Sequence, residues 1–109
     1  MINIEEFQKI DIRVGEILSA EPVPNSEKLL KLVVNLGEEA PRQVVSGIAK
    51  YFPDPQLLVG KKCMFVANLE PRMLMGLESQ GMILAVSTSD GEFSLITPDQ
   101  SIPAGSRAK

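Results

Sequence analysis

The side chains able to act as nucleophiles, bases or metal ligands are few: the chain has no histidine, one cysteine (Cys63) and one tyrosine (Tyr51). Without an imidazole there is no Ser-His or Cys-His pair, and with a single thiol there is no thiolate or imidazole zinc site. Carboxylates, lysines, serines and the lone phenol remain for acid–base or covalent work. Paired carboxylates flanking a bond are one constellation these types still permit. The acidic residues, however, fall mostly in expected turns and exposed helix positions, where they serve solubility. Neither a G-x-x-x-x-G-K-S/T loop nor a G-x-G-x-x-G loop is present to cradle phosphates. A catalytic role is disfavoured, and neither cofactor nor metal is expected. Cys63, set among Met64, Phe65 and Val66, reads as a buried strand position rather than a reactive thiol.

Charge narrows the binding roles. The net charge is −3 and the isoelectric point about 4.9, which argues against coating nucleic acid through bulk electrostatics. Any recognition of phosphates must be local, through a confined cationic patch on an acidic body. With no tryptophan and one tyrosine, aromatic platforms for stacking bases along a single strand are scarce. A folded nucleic-acid shape suits this composition better.

The elements that must hold such a patch belong to one domain spanning 1–109, because 109 residues suffice for one hydrophobic core and not two. A domain this small buries only about two-thirds of its unfolded surface, which makes a homodimer a reasonable expectation. No stretch approaches the roughly 18 apolar residues of a membrane span, and the start Met1-Ile2-Asn3-Ile4 lacks a signal peptide's regions, so a cytoplasmic location without membrane contact is expected.

Along the chain, Asn3 and Glu6 have capping-box spacing, with Ile4 and Phe7 on one face of a short helix that should pack on the barrel or a partner. Ile12 and Val14 are in one phase of alternation and Ile17 in the other, which predicts a β-bulge at Gly15. A turn cluster (Pro22, Pro24, Asn25, Ser26) precedes the alternating run Leu30, Leu32, Val34, Leu36. Further strands are predicted over 43–48, 62–68 and 81–87. A single helical turn is predicted near Asp54-Pro55, stopped by Gly60. Asp90-Gly91 turns the chain into 93–96. The whole reads as an all-β, five-stranded OB-fold Greek-key barrel with a short N-terminal helix, a helix between strands 3 and 4, and a C-terminal hairpin extension.

Four stretches, Asp11-Ile12-Arg13-Val14-Gly15-Glu16-Ile17, Pro24-Asn25-Ser26-Glu27-Lys28-Leu29, Arg42-Gln43-Val44-Val45-Ser46-Gly47-Ile48, and Val66 to Arg72 continuing through Gly76 to Ser79-Gln80-Gly81-Met82, resemble the tRNA-binding domain of the methionyl-tRNA synthetase C-terminal or beta-subunit family and of free-standing structure-specific tRNA-binding proteins. The resemblance implies an OB fold, homodimerisation, and non-catalytic tRNA binding as an auxiliary to aminoacylation, with the catalytic part of methionyl-tRNA synthetase as a further partner. A secretion-chaperone-like family shares the domain, so a peptide-binding dimer is the alternative. The chain departs from the pattern at Val23-Pro24, where many relatives have His-Pro, and at Arg72-Met73-Leu74-Met75, which is less basic than in several relatives.

Under this resemblance Ser79 and Met82 match a Ser-x-Gly-Met element tied to tRNA contact, a hydroxyl for a sugar edge and a thioether for a base. The plainer alternative is a turn serine and a core methionine. Asn68 offers an amide to a base edge, or closes a turn on its own backbone. Arg72 and Arg42 offer paired, permanently charged donors to phosphate, or else make intramolecular ion pairs. Lys28, with Lys31, Lys61 and Lys62, would extend the patch. Arg13 would pair with Asp11 or support the dimer. Met73, Met75 and Met82 suit an adaptable surface.

Overall fold

A computed structural model describes residues 1–109. In chain order it contains α1 (Ile4–Phe7), β1 (Ile12–Pro22), β2 (Leu30–Asn35), β3 (Arg42–Ser46), two 3-10 turns (Ala49–Tyr51 and Pro55–Leu58), β4 (Lys62–Val66), β5 (Arg72–Leu74), β6 (Leu77–Ser79), β7 (Met82–Ile83), β8 (Ala85–Ser87) and β9 (Phe93–Leu95). Five strands form one antiparallel sheet in the order β3-β2-β1-β4-β7. It coils into a nearly closed, OB-like barrel. β5–β6 and β8–β9 are separate hairpins.

The alternating run behaves as its pattern dictates: Leu30, Leu32, Val34 and Leu36 are all buried and meet Ile17, Val44, Leu58, Cys63 and Phe65 in one core. Each large aliphatic or aromatic side chain taken from water contributes roughly 1.5–3 kcal/mol. Burial also pushes the Cys63 thiol up to about 11, so at neutral pH it stays protonated and serves as a small hydrophobe.

The bulge lies elsewhere than the sequence suggested. Gly15 pairs in register with Cys63, and the β1–β2 register shifts between Ile17 and Ser19, around Leu18. Gly15 is required for another reason: a Cβ there would come within 2.6 Å of the Phe65 ring and 2.7 Å of Val34. Val14 and Ile17 differ in phase because both faces of β1 are covered. Val14 is buried yet lies outside the central cluster, and its backbone bonds on both sides to the C-terminal segment at Gly105 and Ser106.

Between β3 and β4 the predicted helix is a short 3-10 turn. The Asp54 side chain accepts from the Gln56 N–H at 3.2 Å, and Pro55 opens the turn. Gly60 ends it with φ +87°. Leu58 enters the core, and Gly60 donates to the Ile17 carbonyl at 2.7 Å. The strand expected over 81–87 is two strands, because Leu84 marks the change of partner from β4 to β9: it donates to Met64 and accepts from Ile96. At the N-terminus both capping-box bonds form. The helix buries none of its residues, and Ile4 is 65% exposed, so the expected packing against the barrel is not made. No helix is long and apolar enough to cross a membrane.

Candidate nucleic-acid interface

The barrel leaves a seam between β3 and β7, where no ladder joins the two edges. Side chains bridge it instead. Ser79 is buried, accepting from the Val45 N–H at 2.9 Å and lying 3.1 Å from the Gly81 carbonyl, to which it donates. The Gln80 N–H donates to the Gln43 carbonyl at 2.8 Å, and the Gln80 side chain accepts from the Gln43 N–H at 3.2 Å. Gln43 in turn donates to the Glu78 carbonyl at 2.9 Å. The otherwise orphaned backbone groups of an edge strand are thus satisfied by two residues of one loop.

Over this seam lies a groove of about 400 Å³. β3 and Gly47 form one wall, Gly81, Met82 and Ile83 another, and Arg72, Leu74 and Ser79 of the β5–β6 hairpin a third, with Leu69 and Glu70 alongside. The hairpin turns at Met75 (φ +51°) and Gly76 (φ +79°), two left-handed residues as a two-residue type I′ turn requires. Sequence reading missed it, since Met-Gly lacks the Asn-Gly signature and a methionine at positive φ is uncommon. Met82 lines the groove and is 45% exposed, while Met73 and Met75, 65% and 60% exposed, stand on the hairpin outside its lining.

The structure separates the predicted site residues. Arg72, Met82 and Ser79 meet in the groove. Arg72 is exposed, and of the four arginines it is the one without an ion pair. Lys28 is exposed and without an ion pair, next to the groove residue Leu29. Ser79 shapes the wall with a hydroxyl already given to backbone. Its neighbour Gly81 lets the chain cross closely, since a Cβ there would lie 3.1 Å from the Val66 carbonyl. The Ser-x-Gly-Met element therefore pins and threads the loop so that Met82 emerges into the groove, with the Ser79 hydroxyl bonded to backbone.

Two other candidate residues are held by bonds within the fold. Both polar ends of the Asn68 side chain are engaged: its oxygen accepts from the Asp11 N–H at 2.8 Å and its nitrogen donates to the Lys9 carbonyl at 2.6 Å. Asn68 thus ties the segment before β1 to the end of β4, and does not line the groove. Arg42 makes a two-pronged pair with Glu38, at 2.7 and 2.6 Å, and donates to the carbonyls of Ala67 and Gln80. It belongs to an ion chain: Arg107 and Arg13 on Asp11, then Arg13 and Arg42 on Glu38. The Arg13 hydrogen bond holds the Asp11 carboxyl below its usual range, and Arg42 does the same for Glu38. Arg13 pairs with Asp11 as its position suggested.

A small antiparallel barrel with an irregular, partly cationic groove across its last strands is the architecture of OB-type binding domains. A family model described as "Putative tRNA binding domain" matches residues 12–107, and the chain belongs to that family, whose domain is a binding module rather than a catalytic one. It is 52% identical over 106 residues to a methionine–tRNA ligase of Caldanaerobacter subterraneus subsp. tengcongensis, covering 97% of this chain and 16% of that protein. The chain spans about a sixth of the length of such curated relatives. Among solved structures, a MetRS-related protein from Pyrococcus horikoshii superposes with TM-score 0.93 at 40% identity, covering 100% of this chain and 98% of that one. The chaperone CsaA of Bacillus anthracis superposes with TM-score 0.87 at 28% identity, covering 100% and 99%.

Proposed function

We propose that residues 1–109 are one non-catalytic tRNA-binding module, acting in the cytoplasm as a C-terminal or beta-subunit-like auxiliary of methionyl-tRNA synthetase or as a free-standing protein. The observation that carries this reading is the meeting of Arg72, free of any intramolecular carboxylate, with Met82 in the seam groove. A guanidinium left without a partner suits a phosphate, and thioethers adapt to a base or sugar face. Lys28 extends the cationic side. Binding is local and modest, because Glu70 shares the groove and the body is acidic. Homodimerisation fits the unpacked N-terminal helix, where Ile2, Ile4 and Ile10 are exposed. Two grooves per dimer would then add avidity if one tRNA reaches both.

The test is Arg72→Ala. tRNA affinity falls and the slope of its salt dependence drops by about one unit, with the fold intact by circular dichroism. A folded variant with unchanged affinity and slope overturns the choice of groove.

A second reading has its own support. The likeness to CsaA and the exposed Met73 and Met75 fit a dimer that holds apolar peptide. Competition between tRNA and an unfolded peptide decides: displacement of peptide by tRNA places both on one surface, and peptide binding without tRNA binding replaces the first reading by the second.

A further inference from the structure

Three of the five aromatic side chains gather away from the seam. Tyr51 and Phe93 stack with ring centroids 3.9 Å apart and planes 5° apart, and Phe52 meets Phe93 edge-on at 6.0 Å. They border a bowl of about 350 Å³ with Lys61 and Ser94 on its wall. The Lys50 ammonium stands 5.1 Å from the centre of the Tyr51 ring. Because Phe93 fills one face of that ring, Lys50 covers the other. Neither Lys50 nor Lys61 makes an ion pair. Asp90 and Glu92 flank Gly91 in the adjoining hairpin, but neither lines the bowl, and Asp90 is hydrogen-bonded to Thr88.

Phe52 and Phe93 pack against the barrel core, whereas Tyr51 is not among the residues that do. Tyr51 is exposed and lies outside the central cluster, so its ring offers a flat apolar face for stacking, and the flanking ammonium groups of Lys50 and Lys61 supply the attraction for negative charge. We propose that the outer face of Tyr51, together with the rim of the bowl beside it, is a second RNA-binding site that takes one unpaired nucleotide, its base stacking on Tyr51 in the place of Lys50 and its phosphates meeting Lys50 and Lys61. A cation over an exposed, solvated ring is held only weakly. Lys50 therefore swings readily from ring to phosphate as the base takes its place. The site adjoins the seam through the backbone: Ala49 donates to the Lys28 carbonyl at 3.0 Å, joining the segment that carries Lys50 and Tyr51 to Lys28 beside the groove. A single RNA can cross from one to the other. The proposal rests on the RNA-binding reading only for the class of partner.

The test exploits a property of the chain: Tyr51 is its only tyrosine and there is no tryptophan, so intrinsic tyrosine emission reports this ring alone. A short single-stranded oligoadenylate quenches Tyr51 emission, and a blunt RNA duplex does not. Lys50→Ala combined with Lys61→Ala, which leaves the rings in place, removes the two phosphate contacts and weakens the oligoadenylate interaction roughly tenfold, with a shallower salt dependence. Arg72→Ala leaves the quenching intact while lowering tRNA affinity. Absence of quenching by oligoadenylate, or quenching by polyglutamate in its place, overturns the proposal. Quenching together with an unaltered tRNA affinity in Arg72→Ala supports the bowl and sinks the groove, so the two readings fail separately.

Discussion

Arg42 on β3 and Arg72 on β5 are the same residue type, and the fold uses them in opposite ways. Arg42 is locked by Glu38 and two carbonyls at one end of an ion chain that also holds Asp11, Arg13 and Arg107. Arg72 stands on a short hairpin over the seam with no carboxylate bound to it. The ion chain spends its charge on keeping strand ends and the C-terminal segment together. The groove keeps its charge unspent, which is the condition for meeting a phosphate. Arg42 is also the less exposed of the two, and the inventory of partners makes the difference decisive.

Changes at the seam and in the ion chain should therefore read out differently. Ser79→Ala has the largest effect on stability: it removes the acceptor for the Val45 N–H and strands that donor in a buried position, for a loss of about 2 kcal/mol in chemical denaturation. Because the β5–β6 hairpin is then released from β3, tRNA affinity falls with it. A Ser79→Ala protein of unchanged stability would show that the seam closes without this hydroxyl. Arg42→Ala comes next, at about 1 kcal/mol, since its pairs are half-exposed and partly screened. Its salt slope for tRNA matches the parent, in contrast to Arg72→Ala. A lowered slope would return Arg42 to the interface.

Acidification gives the smallest and most gradual effect. Asp11 and Glu38 have folded-state values depressed from ordinary ones of 3.8 and 4.5. Their contribution is therefore complete above about pH 4.5 and is lost as pH falls through the lower folded values. Denaturation midpoints should decline below that point, and Glu38→Gln should flatten the decline. A midpoint independent of pH down to the unfolding limit would mean that the ion chain adds nothing to stability.

Much of the frame was legible because it rests on local rules. The Leu30 to Leu36 alternation, the Asn3–Glu6 capping box, the Asp54-Pro55 start with its Gly60 stop, and the burial of Cys63 each follow from side-chain type and spacing within a few residues. The β5–β6 hairpin was not legible, because Met75 occupies a left-handed position that local preference gives to Asn or Gly. The bulge moved from Gly15 to Leu18 because the apparent change of phase reflects burial of both faces of β1, a fact set by the distant C-terminal segment. Gln43 and Gln80 carried no signal at all, being ordinary polar residues until the seam brings them together.

By itself, the sequence determined most of the elements, the barrel they can form, the absence of imidazole and paired-thiol chemistry, and a set of polar and cationic candidates for RNA contact. Only the tertiary structure showed which of those candidates already have partners within the fold. It gave Arg42 and Asn68 to internal bonds, turned Ser79 into a clasp, left Arg72, Met82 and Lys28 available, and brought Tyr51 to Phe93. The physical reason is that a polar side chain's role depends on whether the fold supplies its partner, and those partners come from strands far away in the chain.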